Sequence, residues 1–213
     1  MKNSLITFAA ACLLFVAGPS FATTKSVSHQ LDLNGISRIE LSHSVGNLRI
    51  ERSDSLSNGV AMGQLTGTIK AGKKGWFRGS EDITNINLDL TNRGDTLHIV
   101  FEHDNAEADY VLTIPAVASL SIKLGVGNLV AALTAASTEI KIGVGNAELT
   151  TDLASIGAIN LATGVGETGI TGVLQQHTAR AIVTSKTQAT GPGHNLLNVK
   201  VGVGNASLEL IHE

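Results

Sequence analysis

A chain of 213 residues is long enough for one sizeable domain, and its formal charge of −3 argues against nucleic acid as an electrostatic partner. With 23 glycines, 3 prolines and only 3% aromatic residues, the composition suits short β-strands joined by tight turns. The one cysteine, Cys12, lies in an N-terminal leader-like stretch, which leaves the rest of the chain without disulfide, thiolate-metal or thiol redox chemistry.

That stretch, residues 1–22, reads as a secretory signal peptide. Lys2 supplies the positive region, Leu5 to Ala17 is apolar, and Ser20-Phe21-Ala22 carries small residues where a signal peptidase needs them. Cleavage is expected after Ala22, leaving residues 23–213 with a charge of −4 once Lys2 is removed. A lipoprotein box at Ala9-Ala10-Ala11-Cys12 fails on position, because the apolar core continues through Leu13, Leu14, Phe15 and Val16. The processed chain is expected to be exported, and to be periplasmic, associated with the outer envelope or secreted. No later apolar run is long enough to anchor it in a membrane.

Further along, period-two alternation begins. Ile39, Leu41 and Val45 alternate with Glu40, Ser42 and Ser44, and Leu48 and Ile50 follow a Gly46-Asn47 corner. Gly-Val-Gly-Asn recurs at 125–128, 143–146 and 202–205, with a variant, Gly164-Val165-Gly166-Glu167. The second glycines fall at 46, 127, 145, 166 and 204, close to multiples of about twenty residues, the signature of stacked repeats. One inward register passes through each corner: Ile122, Leu124, Val126 then Leu129, Ala131; Ile140, Ile142, Val144 then Ala147, Leu149; Ile159, Leu161, Val165 then Ile170; Val199, Val201, Val203 then Ala206, Leu208, Leu210. The fold expected is all-β: a single-domain, right-handed parallel β-solenoid of about twenty residues per rung. Its structural corners are Gly46, Asn47, Gly127, Asn128, Gly145, Asn146, Gly166, Gly204 and Asn205. Their glycines supply positive φ or close stacking, and their Asn amides bond between rungs, Asn128 with Asn146 above all. Glu167 interrupts that ladder.

Between the first two corners a β-hairpin region is inserted. Ile86, Leu88 and Leu90 alternate, Thr91 to Asp95 makes a turn, and Leu97, Ile99 and Phe101 return. Tyr110, Leu112 and Ile114 form a further strand ended by Pro115. Residues 173–195 read as a degenerate rung and a Gly191-Pro192-Gly193 loop. The N-terminal strand pair, the hairpin with its Gly94-Asp95-Thr96-Leu97-His98-Ile99 pattern, the strand Tyr110 to Pro115 and the Gly-Asn corners together resemble the exported bacterial "putative adhesin" family of toast-rack-like β-solenoids. The resemblance spans roughly residues 30–213. It implies the solenoid fold and an adhesin-like role, and it carries no active-site motif.

Candidate chemistry is sparse. The outward positions before the corners hold Lys123 and Gly125, Lys141 and Gly143, Ala162 and Gly164, and Lys200 and Gly202. Lys123 and Lys141, one period apart, would repel when stacked unless an anion or a carboxylate lay between them. They form either an anion-binding strip or a solvated face, and the glycines beside them leave a bare backbone stripe. Lys73, Lys74, Trp76, Phe77 and Arg78 form a basic-aromatic stretch suited to a lipid surface, a sugar ring or the capping of a solenoid end. His98 and His103 flank Glu102, but their spacing puts them on opposite faces of a strand. His43, in an inward slot of a terminal rung, is expected to be partly exposed and hydrogen-bonded. Arg93-Gly94-Asp95 spells an integrin-recognition tripeptide that a turn would use for its own reasons. No strand pairs two carboxylates for glycosidic acid–base work. The sequence therefore points to a non-enzymatic envelope protein without a cofactor, adhesin-like or structural. Its alternative is a protein that binds or acts on envelope polysaccharide through an exposed solenoid face. The partners in question are an envelope polysaccharide, a lipid surface, a protein, or further copies stacked on the solenoid ends.

Overall fold

The computed structural model describes residues 24–53, 56–57, 60–71, 83–172 and 176–212. Residues 1–23, and with them the expected signal peptide, lie outside the described residues, as does the stretch 72–82 with Lys73, Lys74, Trp76, Phe77 and Arg78.

Alternation of apolar and polar residues dictates strands throughout, and the only helical piece described is a single 3-10 turn. The chain runs through β1 (Thr24–Asp32), β2 (Arg38–Val45), β3 (Leu48–Arg52), β4 (Leu56–Ser57) and β5 (Val60–Ala71). The hairpin β6 (Asp89–Arg93) and β7 (Thr96–Phe101) follows, then β8 (Ala106–Ile114), β9 (Ser119–Val126), β10 (Leu129–Ala132), β11 (Ser137–Val144) and β12 (Ala147–Asp152). After the turn at Leu153–Ser155 come β13 (Ile156–Val165), β14 (Thr168–Thr171), β15 (Gln176–Ala181), β16 (Thr184–Thr190), β17 (Asn195–Val203) and β18 (Ala206–Ile211).

These strands make two mixed sheets. The first has the order β1-β5-β8-β3-β10-β12-β18-β14, with β4 beside β5, and the second the order β15-β16-β13-β17-β11-β9-β2-β7-β6. Within each, the central strands are parallel; the outer strands pair antiparallel at both edges of the second sheet and at the β1 edge of the first, whose other edge, β14, is parallel to β18. The inward apolar residues of both enclose one core, in which Ile39, Leu120, Ile122, Leu129, Ile140, Leu161 and Val199 are almost fully shielded from solvent.

Each Gly-Asn corner carries the chain from the second sheet to the first, so β2/β3, β9/β10, β11/β12, β17/β18 and β13/β14 are five layers of one stack. The layers do not follow chain order. The corner at 204 lies between those at 145 and 166, because β17 pairs with both β11 and β13. The region expected as an insertion contributes a sixth layer instead. Strand β7 lies parallel to β2 and β8 lies parallel to β3, with Ala108-Asp109 standing where the other layers have Gly-Asn.

Two backbone devices fix the corners. Gly46, Gly127, Gly145, Gly166 and Gly204 all have φ between +133° and +148°, a region that side chains rarely adopt. Beside them the Asn side chains form a directed ladder. Asn47 donates its backbone N–H and its amide to Asp109 Oδ1, at 3.0 and 2.9 Å, and Asn128, Asn146 and Asn205 each donate the same two groups to the Oδ1 of the layer before. Glu167 does not interrupt this ladder. It ends it, its backbone N–H donating to Asn205 Oδ1 at 2.9 Å, because its layer is the last in the stack.

At one end both sheets are closed by antiparallel strands; at the other only the second sheet is, and β14 remains a parallel edge of the first. At one end β6 covers β7, and β5 with β1 covers β8. At the other, residues 176–190 form a hairpin on β13 where the sequence suggested a degenerate rung. The reason is polarity: the inward residues of β16 are Ser185, Thr187 and Ala189, and the first two bond to Thr168 Oγ1, each at 2.7 Å, instead of filling an apolar column. Edge strand β15 is exposed along its length, and its Arg180 pairs with Glu167 at 3.2 Å. A polar edge bearing a charge is how sheets discourage pairing with further strands.

Layer β7/β8 also explains His43. Its layer is not terminal, and the imidazole is buried, with 3% of its surface exposed. It packs against the rings of Phe101 and Tyr110 at 5.4 Å, with Nε2–H donating to Ala108 O at 2.9 Å. Burial lowers its pKa from the ordinary value, although the Ala108 carbonyl and nearby Asp109 oppose the shift. A depressed histidine pKa means that the unfolded chain binds the proton more readily. The stability contribution is thus complete above about pH 6.5 and is lost as pH falls towards the folded value. Burial acts on Tyr110, the ring beside it, in the opposite direction, raising its pKa, so the phenol stays neutral. His43→Leu, which copies Leu124 in the adjacent layer, should flatten the decline in melting temperature between pH 7 and pH 5 while leaving the pH 8 value within a few degrees. An unchanged pH profile would show that His43 is not the sensor.

Candidate binding face

Three rows run across the second sheet, perpendicular to its strands. The parallel register places Ser42, Lys123, Lys141, Lys200 and Ala162 in one row, with neighbours about 4.8 Å apart. Next to it lie Ser44, Gly125, Gly143, Gly202 and Gly164. A Cβ added at any of these four glycines would come within 2.4 to 2.6 Å of a backbone oxygen in the adjacent layer, so the corner geometry itself requires them. The third row is Val45, Val126, Val144, Val203 and Val165.

Sequence parity put those valines inside. The structure corrects this: Val126, Val144 and Val203 each expose 48% of their surface and Val165 exposes 47%. They stand immediately before the positive-φ glycines, at the rim where the strand leaves the sheet, on the side of the strand opposite the lysine and glycine rows but beyond the cover of the other sheet.

Over this floor an open groove of about 530 Å³ is lined by Ser42, Glu102, Lys123, Gly125, Lys141 and Gly143, among others. Lys123 and Lys141 are therefore adjacent, and Lys200 extends their row. Its offset from its corner, four residues before the second glycine, is the same as theirs, but a reading in chain order separates it from them. One carboxylate stands against this row: Glu139, on β11, bonds Lys141 at 2.7 Å. Its pKa is lowered first by that hydrogen bond and by the charge of Lys141, then more weakly by Lys200 and Lys123. Lys123 and Lys200 make no ion pair or hydrogen bond with the described residues. Glu102, at the groove's end, accepts from Ser42 Oγ at 2.8 Å.

The remaining sequence candidates do not converge. His98 Nδ1 faces Glu40 at 3.3 Å, while His103 stacks on Phe101 at 4.9 Å. In the Arg93-Gly94-Asp95 turn, the Asp95 carboxylate is bound by Ser37 Oγ at 2.5 Å and Arg38 at 2.7 Å, and these contacts hold its pKa down to about 2. It is a strut between β2 and the hairpin. On the first sheet Asp109 joins the end of the Asn ladder to Lys70 at 2.6 Å. Burial opposes its ionisation, but the Lys70 and Asn47 hydrogen bonds outweigh it and its pKa is lowered.

No protein-family model and no curated protein matches this sequence. Solved structures do. The chain is similar to a putative cell adhesion protein from Clostridium sporogenes, with a TM-score of 0.51 at 12% identity, covering 88% of this chain and all of that one. A putative adhesin from Bacteroides fragilis aligns over 88% of this chain and 97% of its own, with a TM-score of 0.32 and 12% identity. The all-β fold is thus one that also occurs in a bacterial protein named as a putative cell adhesion protein. Among the described residues no helix is long and apolar enough to cross a membrane.

Proposed function

We propose that this chain is an exported, non-enzymatic protein of the bacterial envelope that acts as an adhesin-like binding module through the lysine-glycine face. In this reading the two sheets are opposite walls of one right-handed β-solenoid with transposed layers, and residues 1–22 direct export. The observation that carries the proposal is the groove itself, an open surface with cations beside bare backbone in parallel rows. Likeness in fold to a protein named as a putative cell adhesion protein supports the same role.

The test is retention of the purified protein on separated envelope fractions: peptidoglycan, acidic polysaccharide and anionic lipid vesicles. Lys123→Gln/Lys141→Gln and Trp76→Ala/Phe77→Ala variants run beside it. Retention on one fraction that the lysine variant loses locates the site on this face. Loss only in the aromatic variant would move the site to residues 73–78, and retention on none would sink the adhesin-like reading. Mass spectrometry of the exported protein should find Thr23 at the N-terminus.

A further inference from the structure

We infer that the ligand of this face is a linear polyuronate, an acidic polysaccharide with a carboxylate on every sugar, lying across the strands along the row of Lys123, Lys141 and Lys200. This inference rests on the proposed function and adds the ligand class to it.

Three observations define that class. The ammonium-bearing positions recur at every layer for three consecutive layers, because β9, β11 and β17 pair in register. Their repeat is the strand spacing of about 4.8 Å. A ligand matching that row carries negative charge at a similar interval, roughly one charge per sugar residue, whereas a single fatty acid would use one lysine and leave two unpaired. Next, Gly125, Gly143 and Gly202 run parallel to the lysines on the same side of their strands, a bare floor without side chains. Each ligand repeat can therefore lay a flat face on that floor while presenting an anion to the lysines. A uronate ring does so, with its C–H face for the floor and its carboxylate at the edge. Finally, the lysine row crosses three consecutive strands and the groove beside it is open, which suits a chain that continues beyond the site at both ends and suits a compact molecule poorly.

The charge balance supports the same ligand. Lys141 already holds Glu139, while Lys123 and Lys200 have no partner among the described residues. Like charges in register on neighbouring strands disfavour each other, so a bound row of carboxylates relieves a repulsion that the free protein carries. The protein as a whole is acidic, which makes this local cationic row a selective feature and disfavours non-specific binding of polyanions elsewhere on it. With no aromatic platform on these rows, each sugar contributes little, and affinity is expected to build with the number of sugars engaged.

The experiment is calorimetric or surface-immobilised binding of the purified protein to polygalacturonate, to hyaluronan (a carboxylate on alternate sugars), to neutral dextran and to phosphatidylglycerol vesicles, at 50 and 300 mM salt. We expect polygalacturonate to bind at least tenfold more tightly than hyaluronan, dextran to be silent, and binding to weaken at the higher salt. Galacturonate monomer should show no binding, and oligomers should gain affinity with length. Lys123→Gln/Lys141→Gln/Lys200→Gln should lose at least tenfold, and Arg49→Gln/Arg93→Gln, on other surfaces, less than threefold, with melting temperatures confirming that both variants fold. Equal binding of hyaluronan and polygalacturonate, preference for the vesicles, or full binding by the lysine triple variant would each overturn the inference. Retention on an envelope fraction that polygalacturonate does not compete away would refute the ligand class while leaving the adhesin-like reading standing. Failure on every fraction would refute both.

Discussion

Gly145→Ala should prevent stable folding, whereas Gly169→Ala should be almost silent. A Cβ at Gly145 would sit 1.7 Å from the Gly127 carbonyl oxygen, at a φ of +145°, and the clashing atom is backbone in a hydrogen-bonded layer. Neither neighbour can move without breaking the corner ladder above and below. The strain of the backbone conformation adds about 1–3 kcal/mol to an overpacking cost that cannot relax, so the total should exceed about 4 kcal/mol, a large part of a domain's stability. Gly169 lies in β14, an outer strand of the first sheet, and its added methyl would meet nothing within 4 Å. Urea unfolding of the two variants checks the contrast. Equal stability would mean that the corner can be redrawn around a side chain, and the account of the glycine column would fall.

Within one strand, Ile140→Ala and Val144→Ala should differ several-fold. Ile140 is shielded from solvent between the sheets, while Val144 exposes about half its surface at the rim. Truncating a buried Ile removes transfer energy and leaves a cavity, about 2–5 kcal/mol, with the upper half expected here because the layers on either side are held in register. Truncating Val144 removes a smaller, half-hydrated side chain and should cost less than about 1 kcal/mol. A large loss at Val144 would show that its row is structural and not a free surface.

The parity of the strands was legible because one face of each is buried, and Ile39, Leu41, Ile122, Leu124, Ile140 and Ile142 all point inward. Parity failed at the corner valines, since alternation tells which side of a strand a residue occupies but not where the opposing sheet ends. The transposition of the last two layers was invisible for a different reason. Each corner offers the same Val, Gly and polar side chain, so sequence periodicity counts layers without ordering them. Of the binding face, Lys123 and Lys141 stood one period apart in the sequence, while Lys200 joined them only through the pairing of β11 with β17. Strands β1 and β5 lack the corner motif and were not read, and His43 was misplaced because the layer covering it carries Ala108-Asp109 in place of Gly-Asn.

The amide ladder joins the layers without giving them addresses. Each Asn donates two N–H groups one way and accepts two from the other, so Asn146 meets Asn205 in the same manner as it meets Asn128, across 59 residues of sequence in one case and 18 in the other. Any corner of this kind is a competent neighbour for any other, which is why the chain can shuffle its layers at no cost in hydrogen bonds. The ladder itself therefore does not set the order of the layers; it stops at Asp109, which pairs with Lys70, and at Glu167, which pairs with Arg180.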